Sequence, residues 1–304
     1  MMLNPILAFS ATRRMRSFRT MLVVLGYVAV LLLIALGFLT PFLKDTVMLE
    51  NMQRGPLCCL AMLGAQFVLL LLIAPAMTSG AIAGERERQT LDLLLVTNTG
   101  SLRIVAGKAL ESFAMLSLLI VCGLPVMSLC LLVGGVTPVQ LLLGELFLLA
   151  EAFACVSLGV FCSSLTRSTV LSGVLSYLMI LLIGVGTALP FLFGYPQSVT
   201  NVVYDRQQYA ALTVQGARAI LPLLLCMNPG FGLLALFQGQ THLLNEAMEY
   251  RGWGRIYCTW LMADRAGWPY IALVCTAGMI LIAAVLLAAA ALFVRRNGKK
   301  TGNG

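Results

Sequence analysis

Long apolar runs broken by short charged clusters set the pattern of this chain. No charged residue falls within Thr20–Leu43, Gly55–Gly84, Ser112–Gly144, Ser168–Tyr204 or Ala266–Val294. A helix rises about 1.5 Å per residue, so about 20 apolar residues cross a hydrocarbon core of about 30 Å. The pattern predicts spanning helices at about 21–43, 57–80, 110–134, 138–162, 171–194 and 268–294. Between the third and fourth, Gly134-Gly135-Val136-Thr137-Pro138 forms a tight break and turn. The fourth carries Glu145 and Glu151, and its leucine and alanine runs outweigh the cost of inserting them. A further apolar segment, 219–239, is long enough to span, but Asn228-Pro229-Gly230 interrupts it. It reads as a re-entrant or interfacial segment before the last span, inside a long outer loop at 195–267. Its irregular backbone must be covered by protein or water, because lipid cannot satisfy it.

Composition narrows the class. The 304 residues are 60% hydrophobic and 11% charged, with a mean hydropathy of +0.94. Soluble domains carry about 25% charged residues. A soluble enzyme, a disordered chain and a disulfide-stapled secreted module are excluded. The expectation is an all-α membrane protein, with residues 1–304 forming a single transmembrane domain. The net charge is +8, and the distribution of Lys and Arg explains it. With six spans both termini share a side. That side receives the arginines at 13–19, then Arg86, Arg88, Arg103, Lys108 and Arg167, and finally the cluster from Arg295 to Lys300. Positive residues mark cytoplasmic loops. The chain therefore reads as a multi-pass protein of the cytoplasmic (inner) membrane with both termini cytoplasmic. Its basic charge needs no nucleic-acid partner.

Chemistry-bearing motifs are few. The nine cysteines fall mostly inside spans and form no CxxC or Cys/His ligand set, so they read as small packed hydrophobes and no metal site is expected. His242 lies in the outer loop and reads as a surface residue. No catalytic constellation is visible, and the chain does not read as an enzyme. Asn4-Pro5 opens a short basic helix over 1–19 that would lie on the inner leaflet. The richest segment is the cytoplasmic loop at 81–104. There Glu85 and Glu87 suit a helix start, and Arg88 and Asp92 are four apart and can pair. Leu91, Leu94 and Leu95 add an apolar face, and Asn98-Thr99-Gly100 ends the helix. Such a helix of about 12 residues is marginal alone and needs something to dock on.

The run from Ser79 through Gly84-Glu85-Arg86-Glu87 and Thr90-Leu91 to Leu93-Leu94-Leu95 and Thr97 resembles the cytoplasmic loop of ABC-2 type transporter permeases. Gly107-Lys108, Asn4-Pro5 with its arginines, Leu165–Thr169 and Met227-Asn228-Pro229-Gly230 resemble further family segments, in order along the chain. Ala11-Thr12 stands where the family often has a Glu. The resemblance implies six spans, a second permease copy in a homo- or heterodimer, and an ATP-binding cassette ATPase as partner. It implies that the loop after the second span acts as a coupling helix. By position that role falls on Glu85, Arg86, Glu87, Arg88, Thr90 and Asp92. The chain has no GxxxxGK[ST], so ATP and Mg²⁺ would be held by the partner, and no cofactor is expected here.

Residues that could line a translocation path are Glu145, Glu151, Ser172, Ser176 and Tyr177. Intramembrane carboxyls are functional candidates by default, although each could instead face a helix partner. Ser168, Ser172 and Ser176 share a helix stripe that equally suits close packing. Lys108 and Glu111, three apart, suit a local pair. The resulting expectation is the permease subunit of an ATP-driven exporter. Two other readings stay open at this stage: a proton-coupled secondary transporter, and a membrane anchor or assembly factor that transports nothing.

Overall fold

The computed structural model describes residues 18–44, 48–90, 101–192, 228, 230, 232–233, 236 and 268–301. The described residues form helices and turns, with no strand among them. In chain order the helices are α1 (Phe18–Lys44), α2 (Met48–Thr78), α3 (Ala83–Glu87), α4 (Ser101–Met127), α5 (Leu129–Val133), α6 (Pro138–Leu165), α7 (Thr169–Leu192) and α8 (Trp268–Thr301). Six of the resulting helical stretches are long and apolar enough to cross a membrane. They coincide with the six predicted spans. The expected start of the third span at 110 is corrected: α4 begins at Ser101. The helix persists because Val105 and Ala109 already bury against the bundle while Lys108 finds an acidic partner in Glu85.

α6 is the centre. Two-thirds of its most apolar window (67%) is buried inside the protein, against 11% for α7 and 22% for α1. It packs on α2, α4, α7 and α8. Its start is sharply defined. Gly134 and Gly135 have φ of 89° and 76°, a backbone region that disfavours side chains bearing Cβ. Thr137 then caps the helix. Its hydroxyl accepts from the Gln140 N–H, the Gln140 side chain accepts from the Thr137 N–H, and Pro138 occupies the first turn.

Between helices in lipid, attraction comes from close packing rather than from removal of water, and small residues permit it. Gly159 of α6 meets Thr78 of α2 so closely that an added Cβ would lie 1.9 Å from Thr78 Oγ1 and 2.7 Å from its Cβ. Gly159→Ala is expected to destabilise the chain by about 1–3 kcal/mol, the usual range for overpacking. Thr78→Ala should recover part of that loss in the double variant, as thermal unfolding in nanodiscs would read.

The predicted break at Asn228-Pro229-Gly230 has a structural counterpart. Asn228 Oδ1 accepts from the Gly230 N–H at 2.9 Å, as an N-cap does with Pro at the first helical position. Its Nδ2 donates to the Gly184 carbonyl (3.0 Å) and Thr187 Oγ1 (2.8 Å) of α7. Leu233 is buried in the core, and Gly232 approaches Phe147 of α6 and Cys275 of α8. This part of the 219–239 segment is therefore covered by protein. The rest of the loop at 195–267, nearly all of the expected interfacial helix at 1–19, and residues 91–100 lie outside the described residues.

Candidate functional site

The turn after α2 closes on itself before it closes on anything else. Helix α3 is five residues long, corrected from the expected twelve or so. The Thr90 N–H donates to the Glu85 carbonyl (2.9 Å) and the Gln89 N–H to the Arg86 carbonyl (3.1 Å). Gln89 has φ 56°. This pair of bonds with a left-handed residue between them terminates a helix, a position usually taken by glycine. The Thr90 hydroxyl also donates to the Glu85 carboxylate. Glu85 is thus folded back onto its own turn, and α3 ends there. Gln89→Gly is expected to stabilise this turn by about 1 kcal/mol, because a left-handed non-glycine residue carries a penalty of about 1–2 kcal/mol. Slower amide exchange at Thr90 would report it.

The start of α3 lacks a capping side chain of its own. Ser163 of α6 supplies one. Its hydroxyl accepts from the Ile82 N–H (3.0 Å) and the Ala83 N–H (2.9 Å) and donates to the Ser79 carbonyl (2.9 Å). One small side chain, fully buried, therefore satisfies three backbone groups that the bend would otherwise leave bare.

Charged side chains extend the attachment to three spanning helices. Arg86 donates through Nη1 to the Thr166 carbonyl (2.7 Å) and through Nη2 to the Ser164 carbonyl (3.3 Å). Glu87 accepts from the Thr169 N–H and from the Thr169 hydroxyl, both at 3.0 Å. The α6–α7 corner presents the negative end of one helix dipole beside the positive end of the next, and cation and anion are matched to them. Lys108 of α4 reaches Glu85 at 2.8 Å, 23 residues away, in addition to the local geometry that had suggested Glu111 for it. Between the end of α2, the turn and α4 lies a cleft of about 460 Å³, with Gly84, Glu85, Arg88, Lys108 and Glu111 in its lining. Its charges are of both signs.

The residues expected in the coupling loop thus separate. Glu85, Arg86, Glu87 and Thr90 point their polar groups into their own protein. Arg88 and Gln89 are exposed, and so is Glu87, although its carboxylate is hydrogen-bonded to Thr169. Asp92, its pairing with Arg88, and the Leu91–Leu95 face lie outside the described residues. Ser163, Thr166, Thr169 and Lys108 were not singled out as partners of this turn. The only hint in the sequence was that Leu165–Thr169 and Gly107-Lys108 carried family-like signatures of their own.

The path candidates sit deeper. Glu145 is buried and accepts from Gln66 Nε2 of α2 at 3.1 Å. Glu151 is buried on the same helix. Ser176 donates to the Ser172 carbonyl (2.8 Å), and both serines are fully buried. Tyr177 donates to the Leu72 carbonyl of α2 (2.7 Å), and Gly173 faces Ser79. Tyr177 therefore ties α7 to α2. Among the described residues, no group of three or more His, Cys, Asp or Glu side chains is placed to hold a metal.

Apolar helices around a buried central one, six of them long enough to cross a membrane, with a charged turn tied across one end, define a polytopic helical membrane protein. The model of the ABC-2 family transporter protein matches residues 10–297, nearly the whole chain, and the chain belongs to that family. It is the membrane-spanning permease of an ABC transporter, a transport subunit rather than an enzyme. No curated protein matches the chain.

Proposed function

We propose that this permease exports its cargo across the cytoplasmic membrane, driven by a separate ATP-binding cassette ATPase that docks on the 79–100 loop. The observation that carries this reading is the attachment of the 79–90 turn to α4, α6 and α7 at once. A loop meant only to connect two spans needs no such ties. A loop that receives force from outside needs them, because an untied helix of this length would fold and slide independently. The exposed Arg88 and Gln89 meet the ATPase, while Arg86 and Glu87 pass its movement to the α6–α7 corner. ATP and Mg²⁺ are held on the ATPase, and this chain contributes no cofactor site of its own. Two permease copies, identical or paired with a homologue, enclose the path, and both termini face the cytoplasm. Transport is then a population shift between inward- and outward-facing states, set by the difference in ATPase affinity for the two.

Co-expression with each candidate ATP-binding cassette ATPase of the same genome tests this. One of them is expected to co-purify stoichiometrically, and Arg88→Glu is expected to weaken that complex while leaving the permease folded. Failure of every such ATPase to bind would overturn the reading.

A further inference from the structure

Three polar side chains from three spanning helices meet inside the bundle. Gln66 of α2 donates through Nε2 to Glu145 Oε2 of α6 at 3.1 Å. Gln66 Nε2 and the Tyr27 ring of α1 both lie against Gly123 of α4, at 3.3 and 3.6 Å from where a Cβ would stand. Tyr27 is close enough to Gln66 and Glu145 to feel both electrostatically. Tyr27, Gln66 and Glu145 are 3%, 0% and 4% exposed. Each nevertheless keeps one polar atom without a hydrogen-bond partner: Tyr27 Oη, Gln66 Oε1 and Glu145 Oε1. Bare polar atoms are costly in an interior, and three that converge call for one explanation.

The inventory of hydrogens supplies it. With Glu145 ionised, Gln66 Oε1 and Glu145 Oε1 are both acceptors, and the donor that faces them is the Tyr27 hydroxyl. One acceptor then stays bare, and a full negative charge stays buried. Among the described residues no cation answers that charge. Helices α6 and α7 carry no Lys or Arg, and α8 carries none before Arg295. Arg19, Arg54 and Lys108, the nearest on α1, α2 and α4, lie eight or more residues along from Tyr27, Gln66 and Gly123. The titratable side chains beside the carboxyl are Tyr27 itself and, next to Tyr27, Cys122 of α4. Glu151 lies six residues further along α6.

We propose that Glu145 is a proton-binding site and that Tyr27 and Gln66 hold its proton in a closed ring. A proton from bulk water adds to the carboxylate as one O–H bond and leaves a neutral carboxyl. Glu145 Oε1–H then donates to Tyr27 Oη, the Tyr27 O–H to Gln66 Oε1, and Gln66 Nε2–H to Glu145 Oε2. Every orphaned atom gains a partner and the buried charge disappears. A single water inserted in the ring accepts one bond and donates another, so the balance is unchanged. The ring closes only while α1, α2 and α6 stay packed. A rearrangement that draws α6 away from α2 opens it, admits water and frees the proton. The site is independent of the role proposed for the 79–90 turn.

The test is infrared spectroscopy of the full chain in nanodiscs, in H₂O and D₂O at neutral pH. A carbonyl band of a neutral carboxyl is expected. It should lose one component in Glu145→Gln and keep that component in Glu151→Gln. Tyr27→Phe keeps the ring in place and removes only the hydroxyl, so it should move the same component to higher frequency. Thermal unfolding gives a second readout. The folded chain holds a proton that an unfolded glutamate has released above about pH 5, so the parent should lose stability as pH rises. Glu145→Gln mimics the neutral carboxyl in shape and hydrogen-bonding groups, and its slope should be smaller by one proton. Three results would each overturn the proposal: a carboxyl band unchanged in Glu145→Gln, a Glu145 component unmoved by Tyr27→Phe, or equal pH slopes in Glu145→Gln and the parent.

Discussion

Ser163→Ala is expected to detach the 79–90 turn from α6 and to lower stability more than any other single change in the site. The serine hydroxyl is the partner of the Ile82 and Ala83 N–H groups and of the Ser79 carbonyl. Its loss leaves both donors buried without an acceptor. An unsatisfied buried polar group costs about 1–3 kcal/mol, so the variant should lose about 2–5 kcal/mol, part of it relieved by local opening. The loss should be local before it is global. Amide exchange should accelerate at residues 79–90 while α6 stays protected, because the spans keep their own backbone bonds. Ser163→Thr retains the hydroxyl and should recover most of the protection. Equal exchange in Ser163→Ala and the parent would show that the turn holds without this cap.

The second large effect concerns transmission. Arg86→Ala removes two charged hydrogen bonds to the end of α6, each of a kind worth about 1.5–3 kcal/mol. Glu87→Ala removes the carboxylate that meets the first residue of α7. Both side chains are already hydrogen-bonded to the α6–α7 corner, so the ATPase should still co-purify with both variants. Permease-stimulated ATP hydrolysis should nevertheless fall by on the order of tenfold or more, since about 1.4 kcal/mol of lost coupling already carries that factor. Arg86→Lys should rescue poorly, because a single ammonium cannot span two carbonyls as a guanidinium fork does. Loss of the complex itself in Arg86→Ala or Glu87→Ala would make these residues docking contacts and exclude the transmission role.

Much of the fold was legible because hydropathy is a local property. Each span announced itself by an ion-free run of its own. The turn at Gly134–Pro138 and the break at Asn228-Pro229-Gly230 were legible because glycine, proline and asparagine act within a few residues. Where reading along the chain erred, tertiary partners had intervened. The helix expected from Glu85 onward stops at Glu87, because Thr90 folds back onto Glu85 and Gln89 adopts a left-handed backbone. Lys108 also pairs with Glu85, which comes close only when the turn packs on α4, a contact that no local spacing could show. Tyr177, weighed as a path residue, donates to the Leu72 carbonyl of α2, and Ser172 and Ser176 are buried within the protein, contacts that no local pattern could show.

The sequence by itself determined a six-span helical membrane protein of the ABC-2 family kind and the position of the charged loop after its second span. Apolar run length, positive-charge bias and helix-breaking residues are read within one segment at a time, and the bilayer imposes them segment by segment. Only the tertiary structure decided which charges in that loop are tied to the α6–α7 corner, which helices it grips, and that Cys130 meets Met62 at the far end. Those facts depend on pairs separated by 68 to 84 residues. No local pattern encodes such a pair, because helix packing in lipid is set by shape and by small residues that any span can carry.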